Sequence, residues 1–148
     1  MEATRSSELL KQAGMRVTAI RTAVIDAVAE RPHADADEVR ALVVERLGSV
    51  SVQSVYAALH ALREAGVLRR FELAGHPSRF EIHAHDNHHH MACRQCGLVK
   101  DVPCTVGEMP CLTPSETHGF VLDEAEVIYW GLCEACQRAC APANPCSV

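Results

Sequence analysis

Eight cysteines and nine histidines stand in a chain of 148 residues. Four of the cysteines form two Cys-x-x-Cys knuckles, Cys93-Arg94-Gln95-Cys96 and Cys133-Glu134-Ala135-Cys136. Four thiolates at this spacing suit one tetrahedral Zn²⁺, at about 2.3 Å per Zn–S bond. Such a shell leaves no open position for water or substrate, so the expected role is structural. The 36 residues between the knuckles exceed the spacing of a zinc ribbon, so the ion would tie a whole subdomain together. Cys140 is an alternative fourth ligand in place of Cys136. The competing readings are a redox disulfide or plain buried thiols, and a reducing compartment favours zinc. A second constellation, His83, His85, Asp86, His88, His89 and His90, precedes the first knuckle. On an extended strand His88 and His90 share a face and His89 points to the other. With a carboxylate or two this makes an N/O site for Fe²⁺, Mn²⁺, Zn²⁺ or Ni²⁺ rather than Cu⁺. The bland reading is a metal-sticky loop without selectivity.

These groups need elements to hold them. The length allows one ordinary domain or two small ones, and a unit of half this length usually needs a staple such as a metal or a partner chain. Net charge is −5, which argues against a uniformly basic nucleic-acid binder, but the charge is unevenly spread. Residues 1–84 hold 11 Lys/Arg and 11 Asp/Glu, whereas residues 85–148 hold 3 and 8. A polyanion would therefore meet the first half. No apolar run reaches the roughly 18 residues of a membrane span, and Met1 to Ser7 is no signal peptide, so the expected location is the cytoplasm, away from membranes.

The first half reads as successive helices. Thr18 caps one that carries Ile20, Val24, Ala27 and Val28 at helical spacing, and Arg31-Pro32 ends it. Asp35 with Glu38 is a capping box for the next, where Val39, Leu42, Val43 and Leu47 form a stripe closed by Gly48. Ser51 opens a third, with Val52, Val55, Leu59 and Leu62 expected inward and Gly66 at its end. Leu68 to Leu73 and Arg79 to Ile82 read as short strands around a turn at residues 74–78. This is the layout of a winged helix-turn-helix, whose second helix presents its N-terminal residues to the major groove. Ser51, Gln53, Ser54 and Tyr56 are then the candidates for bases and phosphates, while Arg16, Arg21, Arg69, Arg70 and Arg79 are candidates for the backbone. The rival reading is a solvated polar face on a small helical bundle.

Helical periodicity stops near residue 83. Met91 to Ala92, Leu98 to Val102 and Phe120 to Trp130 read as strands of a mainly β unit, with residues 103–118 as an irregular connection. The expected fold class is α+β. It comprises a winged-helix DNA-binding domain (1–82), a hinge (83–86), a small α/β dimerisation domain stabilised by the structural zinc (87–138) and a loose tail (139–148).

Taken together these motifs resemble the ferric uptake regulator (Fur) family over nearly the whole chain. The segments that carry the resemblance are Gly14-Met15-Arg16-Val17-Thr18 with Arg21, Pro32-His33-Ala34-Asp35, and Ser51-Val52-Gln53-Ser54-Val55-Tyr56 with Leu59. Ser78-Arg79-Phe80-Glu81 and Asn87-His88-His89-His90 continue it. The stretch from Glu124 to Cys133, and the short Cys104-to-Cys111 connection, look like the FurA/CatR branch of actinobacteria. The resemblance implies a homodimeric repressor on a palindromic operator, with a regulatory Fe²⁺ or Mn²⁺ site of His33, Glu81, His88, His90 and Asp101. In that picture the metal clamps the hinge and selects the DNA-competent shape. A Glu at position 81 is what the family's iron sensors carry, and an Asp at position 101 is what its peroxide sensors carry. The FurA/CatR likeness tips the expectation toward peroxide, with catalase-peroxidase genes and the protein's own gene as targets. In the peroxide sensors bound Fe²⁺ reacts with H₂O₂ and oxidises a ligand histidine, for which His33 and His88 are the candidates. Cys104 and Cys111 are read first as ordinary small loop residues, with thiol oxidation as the alternative. A third family site looks eroded at Asn87, His89 and Ala125, leaving His118 and Asp86 as weak ligands.

Two readings of other classes compete. A small zinc hydrolase or deaminase would need a signature such as His-Glu-x-x-His or His-x-Glu with Pro-Cys-x-x-Cys, and neither is present. A metal buffer would have no use for a winged helix. The expectation is therefore a regulator and not an enzyme.

Overall fold

A computed structural model describes residues 2–83, 88–104 and 112–140. Of the expected features, His85, Asp86, Asn87, Cys111, most of the hinge and residues 141–148 of the tail lie outside the described residues. The chain divides into two compact units, Met1–Ala84 and His85–Val148.

The N-terminal unit is built of α1 (Glu2–Gln12), α2 (Ala19–Glu30), α3 (Ala36–Leu47), α4 (Val52–Glu64) and a hairpin of β1 (Leu68–Leu73) and β2 (His76–Ile82). Each helix start has a local chemical cause. The Thr18 side chain accepts from the Arg21 N–H at α2. At α3 the Asp35 side chain accepts from the Glu38 N–H while the Glu38 carboxylate accepts from the Asp35 N–H, a reciprocal capping box. Ser51 Oγ accepts from the Ser54 N–H at 3.1 Å and opens α4. Gly48 ends α3 with φ +79° and ψ −123°, a backbone state open to glycine and rarely adopted by a residue with a Cβ. α1 was not expected: its polar sequence offers only Leu9 and Leu10 to the core, and Leu10 is fully buried. A hydrogen bond from Ser6 to Asp26 of α2 helps to dock it.

The core of this unit gathers Val24, Ile25 and Val28 of α2, Val39 and Val43 of α3, Val55, Leu59 and Leu62 of α4, and Leu68 at the start of the hairpin. Val52 corrects the sequence reading, because it is 47% exposed rather than inward. It is the first residue of α4 and precedes the turn at which the apolar stripe meets the core. Truncating a fully buried residue such as Leu62 removes both transfer energy and packing. Leu62→Ala should cost about 2–5 kcal/mol in this unit, seen in urea as early loss of the helical circular-dichroism signal.

The C-terminal unit contains β3 (His88–Cys93), β4 (Val99–Pro103), β5 (Ile128–Gly131) and a short α5 (Glu134–Ala139). Strand order is β4-β3-β5, antiparallel between β3 and β4 and parallel between β3 and β5. The long strand expected over Phe120 to Trp130 is reduced to Ile128–Gly131. Phe120 and Val121 are 73% and 98% exposed and have no strand pairing, so apolar character alone did not make a strand there. Among the described residues the buried apolar side chains of this unit are Ala92, Cys93, Val99 and Cys136. So small a core needs a staple, and two of its four members are knuckle cysteines.

Candidate metal centres and nucleic-acid face

The two knuckles are brought together by the parallel β3–β5 pairing. Cys93 ends β3 opposite Gly131 of β5, and Cys133 caps α5, which carries Cys136. The Sγ atoms of Cys93, Cys96, Cys133 and Cys136 all lie within 4.8 Å of one another. Cys96 Sγ and Cys133 Sγ are 3.7 Å apart, which matches the edge of about 3.8 Å that a tetrahedron of 2.3 Å Zn–S bonds requires. The donor set and its spacing therefore fit a four-thiolate cation. Cys140 lies outside this cluster, with its Sγ 3.8 Å from Gln95 Oε1. The Cys133 N–H donates to Cys93 Sγ at 3.4 Å, and this bond above all lowers the Cys93 thiol to about 6. A hydrogen bond that the Cys136 thiol donates to the Cys133 sulfur, together with burial, pushes Cys136 up to about 12. The thiolate form is thus favoured first at Cys93, while the Cys96 and Cys136 thiols are both pushed up and must lose protons to an arriving cation. Arg94, within the first knuckle, lies over the ring of Trp130 on β5, with its guanidinium carbon 5.3 Å from the centroid.

Two further ligand groups are built, one in each unit. In the N-terminal unit the His33 N–H donates to the Phe80 carbonyl and the Phe80 N–H donates to the Ala34 carbonyl, both at 3.0 Å. This bridge holds the wing strand β2 against the entry to α3. It fixes His33 at φ +66°, a left-handed state rare outside glycine and one that surrounding structure must enforce. His33 Nε2 then lies 3.5 Å from Glu81 Oε2, with Glu81 buried. In the C-terminal unit His90 is paired with Asp101 across β3 and β4, and His88 follows on the same face. The Nε2 atoms of His88 and His90 lie 3.7 and 3.6 Å from Asp101 Oδ1. Ligands about 2.1 Å from one ion are separated by roughly 3.0–3.5 Å, so both groups are near coordination spacing. Imidazole with carboxylate is an N/O set that suits Fe²⁺, Mn²⁺ or Zn²⁺. His89 is buried and takes no part in this pairing.

The expected DNA-facing residues divide. Gln53 and Tyr56 are exposed on the first turns of α4, Tyr56 at 47%. Arg16, Arg21 and Ser54 border one open groove beside α4, of about 510 Å³. The Arg21 guanidinium donates to the Arg16 carbonyl, which ties the loop before α2 to the helix. Ser51 and Ser54 share a hydroxyl contact of 2.7 Å at the helix cap, so part of their hydrogen-bonding capacity serves the fold. Arg79 departs from the expectation. Its side chain is 14% exposed and lies 3.6 Å from Glu38 and 4.0 Å from Asp35, where it joins the wing to α3. Arg69 likewise faces Glu81 rather than solvent. Neither had a sequence signal, because their three acidic partners are distant along the chain.

A winged helix followed by a small sheet with a four-cysteine cluster and His/carboxylate ligands is the frame of a metal-responsive DNA-binding regulator. Residues 12–129 match the model of the ferric uptake regulator family. The chain is 52% identical over 130 residues to the transcriptional regulator FurA of Mycobacterium tuberculosis, covering 88% of each. It is 30% identical over 138 residues to the peroxide-responsive repressor PerR of Staphylococcus aureus, covering 92% of each. Its fold is that of the Vibrio cholerae ferric uptake regulator, with a TM-score of 0.67 at 24% identity, over 85% of this chain and 98% of that one. The chain belongs to the ferric uptake regulator family. It is a transcriptional regulator, not an enzyme. No helix among the described residues is long and apolar enough to cross a membrane.

Proposed function

We propose that the protein is a cytoplasmic, homodimeric repressor that binds a palindromic operator when a regulatory metal is bound and releases it under peroxide. Cys93, Cys96, Cys133 and Cys136 hold a structural zinc. His33, Glu81, His88, His90 and Asp101 are ligands of a regulatory Fe²⁺ or Mn²⁺. The observation that carries this reading is the backbone stitch between His33 and Phe80. It makes one ligand pair part of the joint between wing and α3, so ligation of His33 and Glu81 acts on the DNA-binding element itself. The regulatory ion contributes binding energy that differs between shapes, and the side chains convert that difference into a population shift toward the DNA-competent one.

Likeness to a peroxide-responsive repressor over 92% of the chain supports the peroxide signal, with catalase-peroxidase genes and the protein's own gene as targets. Iron-dependent repression of iron-uptake genes is the second reading, favoured by a carboxylate of glutamate length, Glu81, within 3.5 Å of His33. On the DNA side, Gln53 and Tyr56 reach bases, Ser51 and Ser54 reach bases or phosphates at the helix start, and Arg16 reaches phosphates. Tyr56→Ala should weaken operator binding roughly tenfold with no change in metal content, measured by anisotropy on a promoter duplex beside elemental analysis. Unchanged affinity would remove Tyr56 from the interface. The same assay separates the two signals: release of the Fe²⁺ form but not the Mn²⁺ form by dilute H₂O₂ marks peroxide sensing, and indifference of both marks iron sensing.

A further inference from the structure

Glu81 faces both a histidine and an arginine. Its Oε2 faces His33 Nε2 at 3.5 Å, while its Oε1 faces Arg69 Nη1 at 3.9 Å. The Arg69 side chain is 16% exposed and that of Glu81 is 6%. The hairpin register sets Arg69 directly opposite Glu81, so the guanidinium is delivered by strand pairing and not by a wandering surface side chain.

We propose that Arg69 is the resident cation of the His33–Glu81 pair, neutralising Glu81 in the metal-free protein and weakening the pair's hold on a divalent ion. It thereby sets the metal concentration at which the regulator responds. The inference rests on the reading of His33 and Glu81 as regulatory ligands.

A buried carboxylate without a countercharge destabilises a fold. Arg69 supplies that charge when no metal is present, so the N-terminal unit does not depend on metal to stay folded. When a divalent ion takes the same carboxylate, a fixed positive charge lies a few ångströms away. Repulsion of a doubly charged ion is twice that of a single charge, and partial burial limits its screening by salt. Arg69 also helps to orient Glu81, which would favour metal binding. That contribution is the smaller one, since His33, burial and the strand register already restrict the carboxylate. Charge therefore decides the sign.

The test compares zinc-loaded wild type with Arg69→Gln, which keeps a planar hydrogen-bonding group but removes the charge, and with Arg69→Lys, which keeps the charge. Mn²⁺ is titrated anaerobically, with free Mn²⁺ followed by electron paramagnetic resonance, and each protein is melted without Mn²⁺. Arg69→Gln should bind Mn²⁺ roughly tenfold more tightly or better, and should melt at a lower temperature when Mn²⁺ is absent. Arg69→Lys should resemble wild type in both. Glu81→Gln serves as the control for the ligand assignment. Loss of tight Mn²⁺ binding in Glu81→Gln, with unchanged or weaker binding in Arg69→Gln, overturns the role of Arg69 and leaves the ligands standing. Tighter binding in Arg69→Lys as well would make the effect one of packing and also overturn it. Unchanged Mn²⁺ binding in Glu81→Gln would remove the ligand assignment itself.

Discussion

Cys133→Ser is expected to lose the structural zinc and with it the folded C-terminal unit and the dimer. The expected effect is the largest for any single residue, for two reasons. Structural zinc in small domains contributes apparent folding energies of about 10–16 kcal/mol near neutral pH. The described part of this unit has little to replace it, since Ala92 and Val99 are its only buried apolar side chains apart from cysteine. Cys133 also has two tasks: its sulfur lies 3.7 Å from that of Cys96, and its N–H donates to Cys93. Serine keeps the N–H and removes the thiolate, so the variant isolates the metal bond from the backbone contact. Elemental analysis should show zinc falling from one per chain to near zero, and sedimentation should show loss of the dimer. Trp130, the single tryptophan of the sequence, gives a local signal, because its contact with Arg94 depends on the first knuckle staying in place. Full zinc content and an intact dimer in the variant would dismiss the four-cysteine assignment.

The second large effect is expected from Glu81→Gln. The substitution preserves size and one hydrogen-bonding oxygen but removes the negative charge that a divalent ion requires. Operator affinity of the metal-free protein should stay near wild type, while the gain on adding Mn²⁺ should largely vanish. Coupling between two binding sites is typically 1–3 kcal/mol, so the loss should be on the order of 5- to 150-fold in operator affinity at saturating Mn²⁺. Because coupling is reciprocal, operator DNA should also stop tightening Mn²⁺ binding in this variant. Fluorescence anisotropy at fixed salt measures the first effect, and Mn²⁺ titration with and without duplex measures the second. Retained metal-dependent DNA binding would take Glu81 out of the regulatory set.

What could be read from the sequence was local chemistry. Thr18, the Asp35–Glu38 box, Gly48 and Ser51 mark helix ends because capping acts between residues four apart or fewer. The convergence of four sulfurs was legible because Cys-x-x-Cys spacing constrains each knuckle by itself. The pairing of His88 and His90 on one face followed from the alternation of a strand, and the structure places both near Asp101. What escaped depends on tertiary neighbours. α1 holds its place through Leu10 and Ser6, two residues without periodic support. Val52 fits the apolar stripe but falls one turn short of the core. Arg69 and Arg79 looked like phosphate contacts because arginine usually faces solvent. Burial beside Glu81, Asp35 and Glu38 gives them partners 12 to 44 residues away.

The central claim is metal-dependent repression, and one measurement bears on it most directly. Zinc-loaded protein is mixed anaerobically with a duplex from upstream of its own gene, with no added metal, with Mn²⁺, with Fe²⁺, and with Fe²⁺ followed by dilute H₂O₂. The account predicts weak binding without metal, tight binding with either ion, and loss of binding only where the Fe²⁺ form meets peroxide. Equal binding with and without added metal would contradict it.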